Sequence, residues 1–195
     1  MKKNEPKNND IKNNGRIYTP VFIVNNILDL ASYKNDILEK NIIDNSCGDG
    51  AFLLEIVKRY CDVFIKKYGK NKNDLLKKHL ETYIHGIEID ESELKKCRAT
   101  LDEEVKKYGI DNLNWDIFCA NTLTVNKYNS QMDYVVGNPP YVRVHNLAGS
   151  YDDVKKFQFS ENGMTDLYIV FFEIGLKMLN NHGKMCLITP SSCLR

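Results

Sequence analysis

Four short stretches carry residue types that could do chemistry. The first is "VVGNPPYVRVHN" over 135–146, where two valines and a glycine run into Asn138-Pro139-Pro140-Tyr141. Neither proline has a backbone N–H for a sheet ladder, so a strand must end there in a rigid kink that presents one amide and one aromatic ring. The second stretch, "DNSCGDGAFL" over 44–53, places Gly48 and Gly50 where a backbone can approach a ligand closely and turn sharply. Leu53 stands where a dinucleotide fingerprint needs its third glycine, and no Lys-Ser/Thr follows, which excludes a P-loop. Asp44 and Asp49 make this turn acidic. That repels pyrophosphate and suits a ligand with an ammonium or sulfonium charge. In the third stretch, "GIEID" (86–90), Glu88 sits where a carboxylate accepts hydrogen bonds from a ribose diol. The fourth, "CANTL" (119–123), offers Asn121 to an adenine edge. Taken singly, each of the last three also fits an ordinary strand end or turn.

The elements that must position these residues alternate in type. After Thr19-Pro20, the apolar residues Val21, Val24, Ile27, Leu28 and Ala31 recur at helical spacing. A short strand over 41–46 precedes the glycine turn and a helix over 51–68. A second strand spans 82–89, and Asp90 with Glu93 forms a capping box for a helix that stops at Gly109. Strands over 113–119 and 132–137 follow, then a helix over 166–179 and a fifth strand over 184–190. This alternation predicts an α/β domain with a mainly parallel sheet of about five strands flanked by helices. Such sheets bind ligands at the C-terminal ends of their strands, where all four stretches lie.

Residues 1–14 are rich in Asn and Lys and read as a disordered tail. The segment 142–165, which contains Arg143 and His145, reads as a long, polar, mobile loop. Eight Lys/Arg crowd 58–78, but the helix there runs back to the opposite edge of the sheet, so they read as a solvated face. The chain has 195 residues, 43% of them apolar and 27% charged, which suits one globular domain. No apolar run is long enough for a membrane span, and the polar N-terminus does not read as a secretory signal. Six scattered cysteines without a CxxC pair, beside four histidines, point to reduced thiols in the cytoplasm and away from a zinc site. A net charge of +1 excludes no partner, since nucleic-acid enzymes often carry a local basic cleft on a neutral body.

In this order the pieces resemble S-adenosylmethionine-dependent DNA adenine methyltransferases of restriction-modification systems, in the gamma arrangement of the type II and type IIG-like enzymes. "GRIYTP" (15–20) is similar to the short motif that precedes their cofactor loop, "DNSCGDG" to that loop, "GIEID" to the ribose-binding strand end, and "GNPPYVR" to the catalytic motif. "DLYIVFFEIGLKML" and "GKMCLITPSSCLR" resemble the helix and strand that come next. The resemblance covers 15–195 and implies a Rossmann-like methyltransferase fold lacking its last strands. It implies that Tyr18 and Thr19 meet the cofactor, with Thr19 on the methionine carboxylate beside the backbone of Asp44, Cys47 and Gly48. Glu88 would take the ribose, Ile89 would pack on the cofactor adenine, and Asn121 would contact its amino group. Two positions depart from the family pattern: Asn45 stands where many members have Pro, and Asn121 where many have Asp. The first is read as a change in loop stiffness, the second as a weaker acceptor.

The catalytic group implied is Asn138, Pro139, Pro140 and Tyr141. An adenine amino group is a poor nucleophile because its lone pair is delocalised into the ring. The Asn138 side-chain oxygen and Pro139 carbonyl would accept its two hydrogens and stabilise the charge that develops. Tyr141 would stack on a base flipped out of duplex DNA, while Arg143 and His145 would meet the DNA. The implied partners are duplex DNA and a C-terminal target-recognition domain, in cis or in trans, with no membrane. The strand 184–190 is expected to present an open sheet edge through which the chain self-associates. Protein-glutamine and RNA-guanine amino-methyltransferases share the tetrapeptide but generally lack "GRIYTP". A cofactor-binding fragment that is inactive alone is the further alternative.

Overall fold

In the computed structural model of the chain, residues 18–143, 151–160 and 166–190 are described. The tail over 1–14, residues 15–17 of "GRIYTP" and His145 lie outside them. Five strands form the sheet: β1 (Ile42–Asp44), β2 (Ile84–Glu88), β3 (Asp116–Cys119), β4 (Met132–Gly137) and β5 (Leu179–Leu187). The helices are α1 (Val21–Leu30), α2 (Ala51–Tyr68), α3 (Asn73–Tyr83), α4 (Glu91–Lys106), the single turn α5 (Tyr151–Val154) and α6 (Leu167–Met178). The strand order is β3-β2-β1-β4-β5 and every pairing is parallel. The order therefore reverses between β1 and β4, and the cleft at that reversal is where such sheets take ligands.

β1 and β2 are buried on both faces, so they read as continuous apolar runs rather than alternating ones. Side chains of successive residues still go to opposite faces. Ile42, Ile84, Tyr134 and Val136 join the core under α1 to α4, with Leu53, Ile56, Tyr60 and Leu101. Ile43, Ile87 and Val135 join the other core, beneath α6, with Val170, Phe171 and Ile174. No helix among the described residues is long and apolar enough to cross a membrane.

Several boundaries differ from the sequence reading. The helix α3 was not separated from the charge-rich run around it, because it opens at Lys72 without a side-chain cap and buries only Leu76, His79 and Leu80. It also claims Thr82, whose hydroxyl donates to Lys78 O at 2.7 Å, so β2 starts at Ile84 rather than at 82. β3 starts at Asp116 rather than 113, since the Asn114 N–H goes to the Glu81 carboxylate at 2.8 Å instead of a neighbouring strand. β5 starts five residues earlier than expected and passes a register shift between the pairs Met132–Leu179 and Tyr134–Lys184. It is an outer strand, with Met185, Leu187 and Ile188 half-buried. The capping box at α4 is only half made. Asp90 accepts from the Ser92 and Glu93 N–H groups, but the Glu93 carboxylate turns to Lys96 at 2.8 Å. The segment read as an open loop over 142–165 contains α5 and a 3-10 turn at Gln158–Ser160, and it buries Val154 and Phe157.

The basic segment serves the fold. Arg59 donates to Asp29 at 2.8 Å, to Tyr33 O at 3.0 Å and to Asn25 Oδ1 at 2.7 Å, pinning α2 to α1. Lys77 donates to the carbonyls of Asp111 and Asn112.

Candidate active site

The loop after β1 is held down by β2. The Cys47 N–H donates to Ile87 O at 3.0 Å and the Gly48 N–H to Glu88 Oε2 at 2.8 Å. The other oxygen of Glu88 accepts from the Asp90 N–H at 2.9 Å. Backbone donors thus orient this 7% exposed carboxylate from two sides. Gly48 has φ +53°, and no atom lies within 4 Å of where a Cβ would stand, so the loop presents bare backbone to open space. Cys47 takes part through its backbone only, because its thiol is turned into the core against Cys97. Beyond Glu88 the side chain of Ile89 is 63% exposed, an apolar surface free to cover a ring.

Asp44, the last residue of β1, lies behind that loop. Its Oδ1 accepts the Ser46 N–H at 3.0 Å. Burial pushes its carboxyl up to about 7; the Ser46 N–H opposes this, and the Glu88 charge adds to it. The end of β4 rests directly on this group. A Cβ at Gly137 would stand 2.6 Å from Asp44 Oδ1, and Gly137 has φ +151°, so only glycine fits both constraints. The close approach delivers Asn138 to the β1 loop, where the Ser46 hydroxyl donates to Asn138 O at 3.3 Å. From the far side, the Ile188 N–H donates to Gly137 O at 3.0 Å.

Both ends of the Asn138 amide meet hydroxyls. Nδ2 lies 3.1 Å from Thr19 Oγ1, across 119 residues of chain, and Oδ1 accepts the Tyr141 hydroxyl at 2.5 Å. Burial pushes Tyr141 up to about 12, which keeps its proton in place. The Tyr141 ring stands edge-on to Tyr168 with centroids 6.1 Å apart. The chain leaving the tetrapeptide is tied to the start of α6, since the Leu167 N–H donates to Val142 O at 2.8 Å and Arg143 bridges Asp166 through the backbone.

Thr19, Asp44, Gly48, Glu88, Asn138 and Tyr141 therefore meet at one cleft. Asn121 stands at its border, where its Oδ1 accepts the Leu123 N–H at 3.1 Å and caps the 3-10 turn Thr122–Thr124. The next residue ties that turn to the cleft, with the Thr122 hydroxyl donating to Asn45 O at 2.7 Å. Tyr18 is 62% exposed beside α1, and Arg143 is exposed at the exit of the tetrapeptide. Sequence reasoning passed over Ser46 and Gly137, which hold β1 against β4. The serine inside an acidic glycine turn and the glycine directly before Asn138 were the available signals. Asn45 also does more than alter loop stiffness. Its side chain is fully buried, and neither amide atom has a partner among the described residues, which costs about 1–3 kcal/mol per unmet group. A separate cavity of about 270 Å³ lies beside α6, but its lysines, Lys156 and Lys177, are already paired with Asp153 and Glu173. No cluster of metal-ligating side chains occurs among the described residues.

The chain is similar to known proteins in sequence and in fold. The chain is 32% identical over 188 residues to the type II methyltransferase M.BstVI of Geobacillus stearothermophilus, covering 89% of this chain and 33% of that protein. It is 29% identical over 181 residues to the type II methyltransferase M.XhoI of Xanthomonas vasicola, covering 88% of this chain and 32% of that one. The chain thus spans about a third of the length of the curated relatives it matches. Among solved structures, the DrdV–DNA complex superposes with a TM-score of 0.67 at 16% identity, over 96% of this chain and 21% of that one. A candidate class I S-adenosylmethionine-dependent methyltransferase from Listeria monocytogenes superposes with a TM-score of 0.64 at 15% identity, over 92% and 48% of the two chains. These likenesses show a Rossmann-like methyltransferase fold. Over residues 19–195 the sequence matches the Eco57I restriction-modification methylases, and the chain belongs to that family.

Proposed function

We propose that this chain transfers a methyl group from S-adenosylmethionine to the 6-amino group of an adenine flipped out of duplex DNA, as the modification activity of a restriction-modification system. The observation that carries the reading is that Asn138 meets Thr19 through its side-chain amide and the Glu88-anchored glycine loop through its backbone carbonyl on Ser46, at the sheet's reversal point.

The donor set fits the cofactor. Glu88 is oriented for a ribose diol, and Ile89 is exposed to cover an adenine. The open backbone at Gly48 leaves room for the methionine portion, and Asp44 is a buried carboxyl with no basic side chain among the causes of its shift. A ligand bearing positive charge supplies what that carboxyl lacks. When bound, S-adenosylmethionine contributes a methyl group made electrophilic by its sulfonium. The protein's part is positional and electrostatic. Asn138 Oδ1 and the Pro139 carbonyl accept the two amine hydrogens and draw the lone pair out of conjugation. Because the Tyr141 hydroxyl holds Oδ1 in this structure, it must move aside as the amine arrives, and its ring then stacks on the base. The prolines fix the geometry of these groups, so the attacking nitrogen and the methyl carbon are aligned. Arg143, exposed at the exit of the motif, is placed to meet a phosphate.

Incubation with methyl-labelled S-adenosylmethionine and mixed-sequence duplex DNA, followed by nucleoside analysis, tests the reading. Label in N6-methyladenine supports it. Label in a protein or RNA substrate offered alongside, with none in DNA, overturns it.

A further inference from the structure

We infer that Ser46 is a positioning residue for the proposed methyl transfer, one that aims the Pro139 carbonyl at the target amine by holding the carbonyl of Asn138. The inference rests on the function proposed above, in which Pro139 O accepts one of the amine hydrogens. Pro139 and Pro140 carry no backbone N–H, so hydrogen bonds can fasten their backbone only through carbonyls. Asn138 and Pro139 each precede a proline, which confines both to extended backbone. Successive carbonyls of such a chain point in directions about 120° apart, and the rings keep that angle from changing. Asn138 O and Pro139 O are thus a rigid pair: whatever turns the first turns the second.

The Ser46 hydroxyl turns the first. It donates its one proton to Asn138 O at 3.3 Å, and it does so from a loop that is pinned residue by residue. The Thr122 hydroxyl holds Asn45 O at 2.7 Å, and the Ser46 N–H reaches Asp44 Oδ1 at 3.0 Å. The Cys47 N–H then reaches Ile87 O at 3.0 Å and the Gly48 N–H reaches Glu88 Oε2 at 2.8 Å. On either side of the kink, Gly137 O and Val142 O accept the Ile188 and Leu167 N–H groups, which lie at the end of β5 and the start of α6. Those two ties fix where the segment enters and leaves. The tie from Ser46 refers it to the loop that would carry the cofactor, so the methyl donor and the carbonyl that receives the amine share one frame. With Asn138 O committed to the loop, Pro139 O is turned to a different side, where it takes no hydrogen bond from a described residue.

The chain contains a single Asn-Pro peptide, so 13C-carbonyl asparagine combined with 15N-proline marks the Asn138–Pro139 bond uniquely. Ser46→Ala removes the hydroxyl and keeps the N–H that goes to Asp44. The expected result is that the Asn138 carbonyl resonance moves in Ser46→Ala and returns close to its wild-type position in Ser46→Thr. With saturating S-adenosylmethionine and DNA, Ser46→Ala should lower kcat by about 3- to 10-fold, the worth of one neutral hydrogen bond. The KM for the cofactor and the affinity for S-adenosylhomocysteine should stay unchanged, and Ser46→Thr should restore most of the rate. A carbonyl resonance that stays in place in Ser46→Ala would overturn the inference. So would an unchanged kcat, or a defect confined to a raised KM for the cofactor. A wild-type protein that methylates no DNA would defeat the functional reading, and the carbonyl resonance would still decide whether Ser46 holds the peptide.

Discussion

The two ends of the sheet treat Asp116 and Asp44 in opposite ways. At the N-terminal ends of the strands, Asp116 accepts hydrogen bonds from His85 at 2.8 Å, Lys127 at 2.6 Å and Tyr128 at 3.1 Å. Burial alone would raise its pKa, but these donors outweigh burial and hold it well below the usual carboxylate range. Asp133 nearby takes the Asn41 N–H at 2.8 Å and the Asn180 amide at 3.0 Å. At the C-terminal ends, Asp44 accepts the Ser46 N–H, and burial lifts it to about 7. Beside it the Asn45 amide has no partner among the described residues, and Gly137 adopts a backbone angle that other residues rarely take. Polar groups at the closed end complete one another and hold strands together. At the open end Asp44 is stripped of water with little to offset it, and the Asn45 amide is left incomplete. Perturbed groups gathered in a cleft are a mark of function for this reason.

Substitutions at the two ends should therefore separate function from stability. The largest effect is expected for Asn138→Ala, which should lower methyl transfer by about 100- to 1000-fold, the usual cost of removing a preorganised transition-state partner. Calorimetric affinity for S-adenosylhomocysteine should stay nearly unchanged; loss of both together would mean that the fold itself had failed. Asp116→Ala makes the converse change. It leaves His85 and Lys127 without their shared acceptor and should cost about 1–3 kcal/mol in urea unfolding, with cofactor affinity intact. If cofactor binding weakened instead, the separation between the two ends would not hold. Glu88→Ala should weaken cofactor binding by about 1–3 kcal/mol, since ligand hydroxyls lose a charged acceptor and the loop loses its anchor at the Gly48 N–H. Unchanged affinity would remove Glu88 from the site.

The smallest effect is a pH dependence. The Asp44 carboxyl titrates at about 7 in the folded protein, above its ordinary value of 3.8. The folded state then binds more protons than the unfolded state between these values. Its contribution to stability is full below the lower value and is lost as pH rises through the upper one. A cationic ligand beside Asp44 lowers that pKa, so cofactor binding should release a proton and tighten as pH rises towards 7. Calorimetry in buffers of different ionisation enthalpy measures the release. Asp44→Asn should abolish it, and an undiminished release in that variant would assign the proton to another group.

Local signals were sufficient wherever one stretch carries its own punctuation. β4 begins and ends where the sequence reading put it, because Gly137 and the two prolines close an apolar run. α2 was legible from its periodicity between Gly50 and Gly69. The tetrapeptide, the glycine turn and Glu88 were legible as chemistry because each sits at the end of a recognisable strand. The sheet order was another matter. It brings β1 between β2 and β4, and only that order places Gly137 on Asp44 and the Ser46 hydroxyl against Asn138. The pairing of Thr19 with Asn138 spans 119 residues, a separation no local pattern encodes. The start of β5 and the existence of α3 were hidden for a similar reason. Leu179 pairs with Met132 across a register shift, and α3 is held by packing of Leu76, His79 and Leu80 rather than by a cap. By itself the sequence determined which residues stand at the strand ends, because helix and strand periods and glycine or proline breaks act within a few residues. Which of those residues touch, and which carboxyl is stripped of water, was decided by the tertiary structure, since both depend on burial and on neighbours distant in the chain.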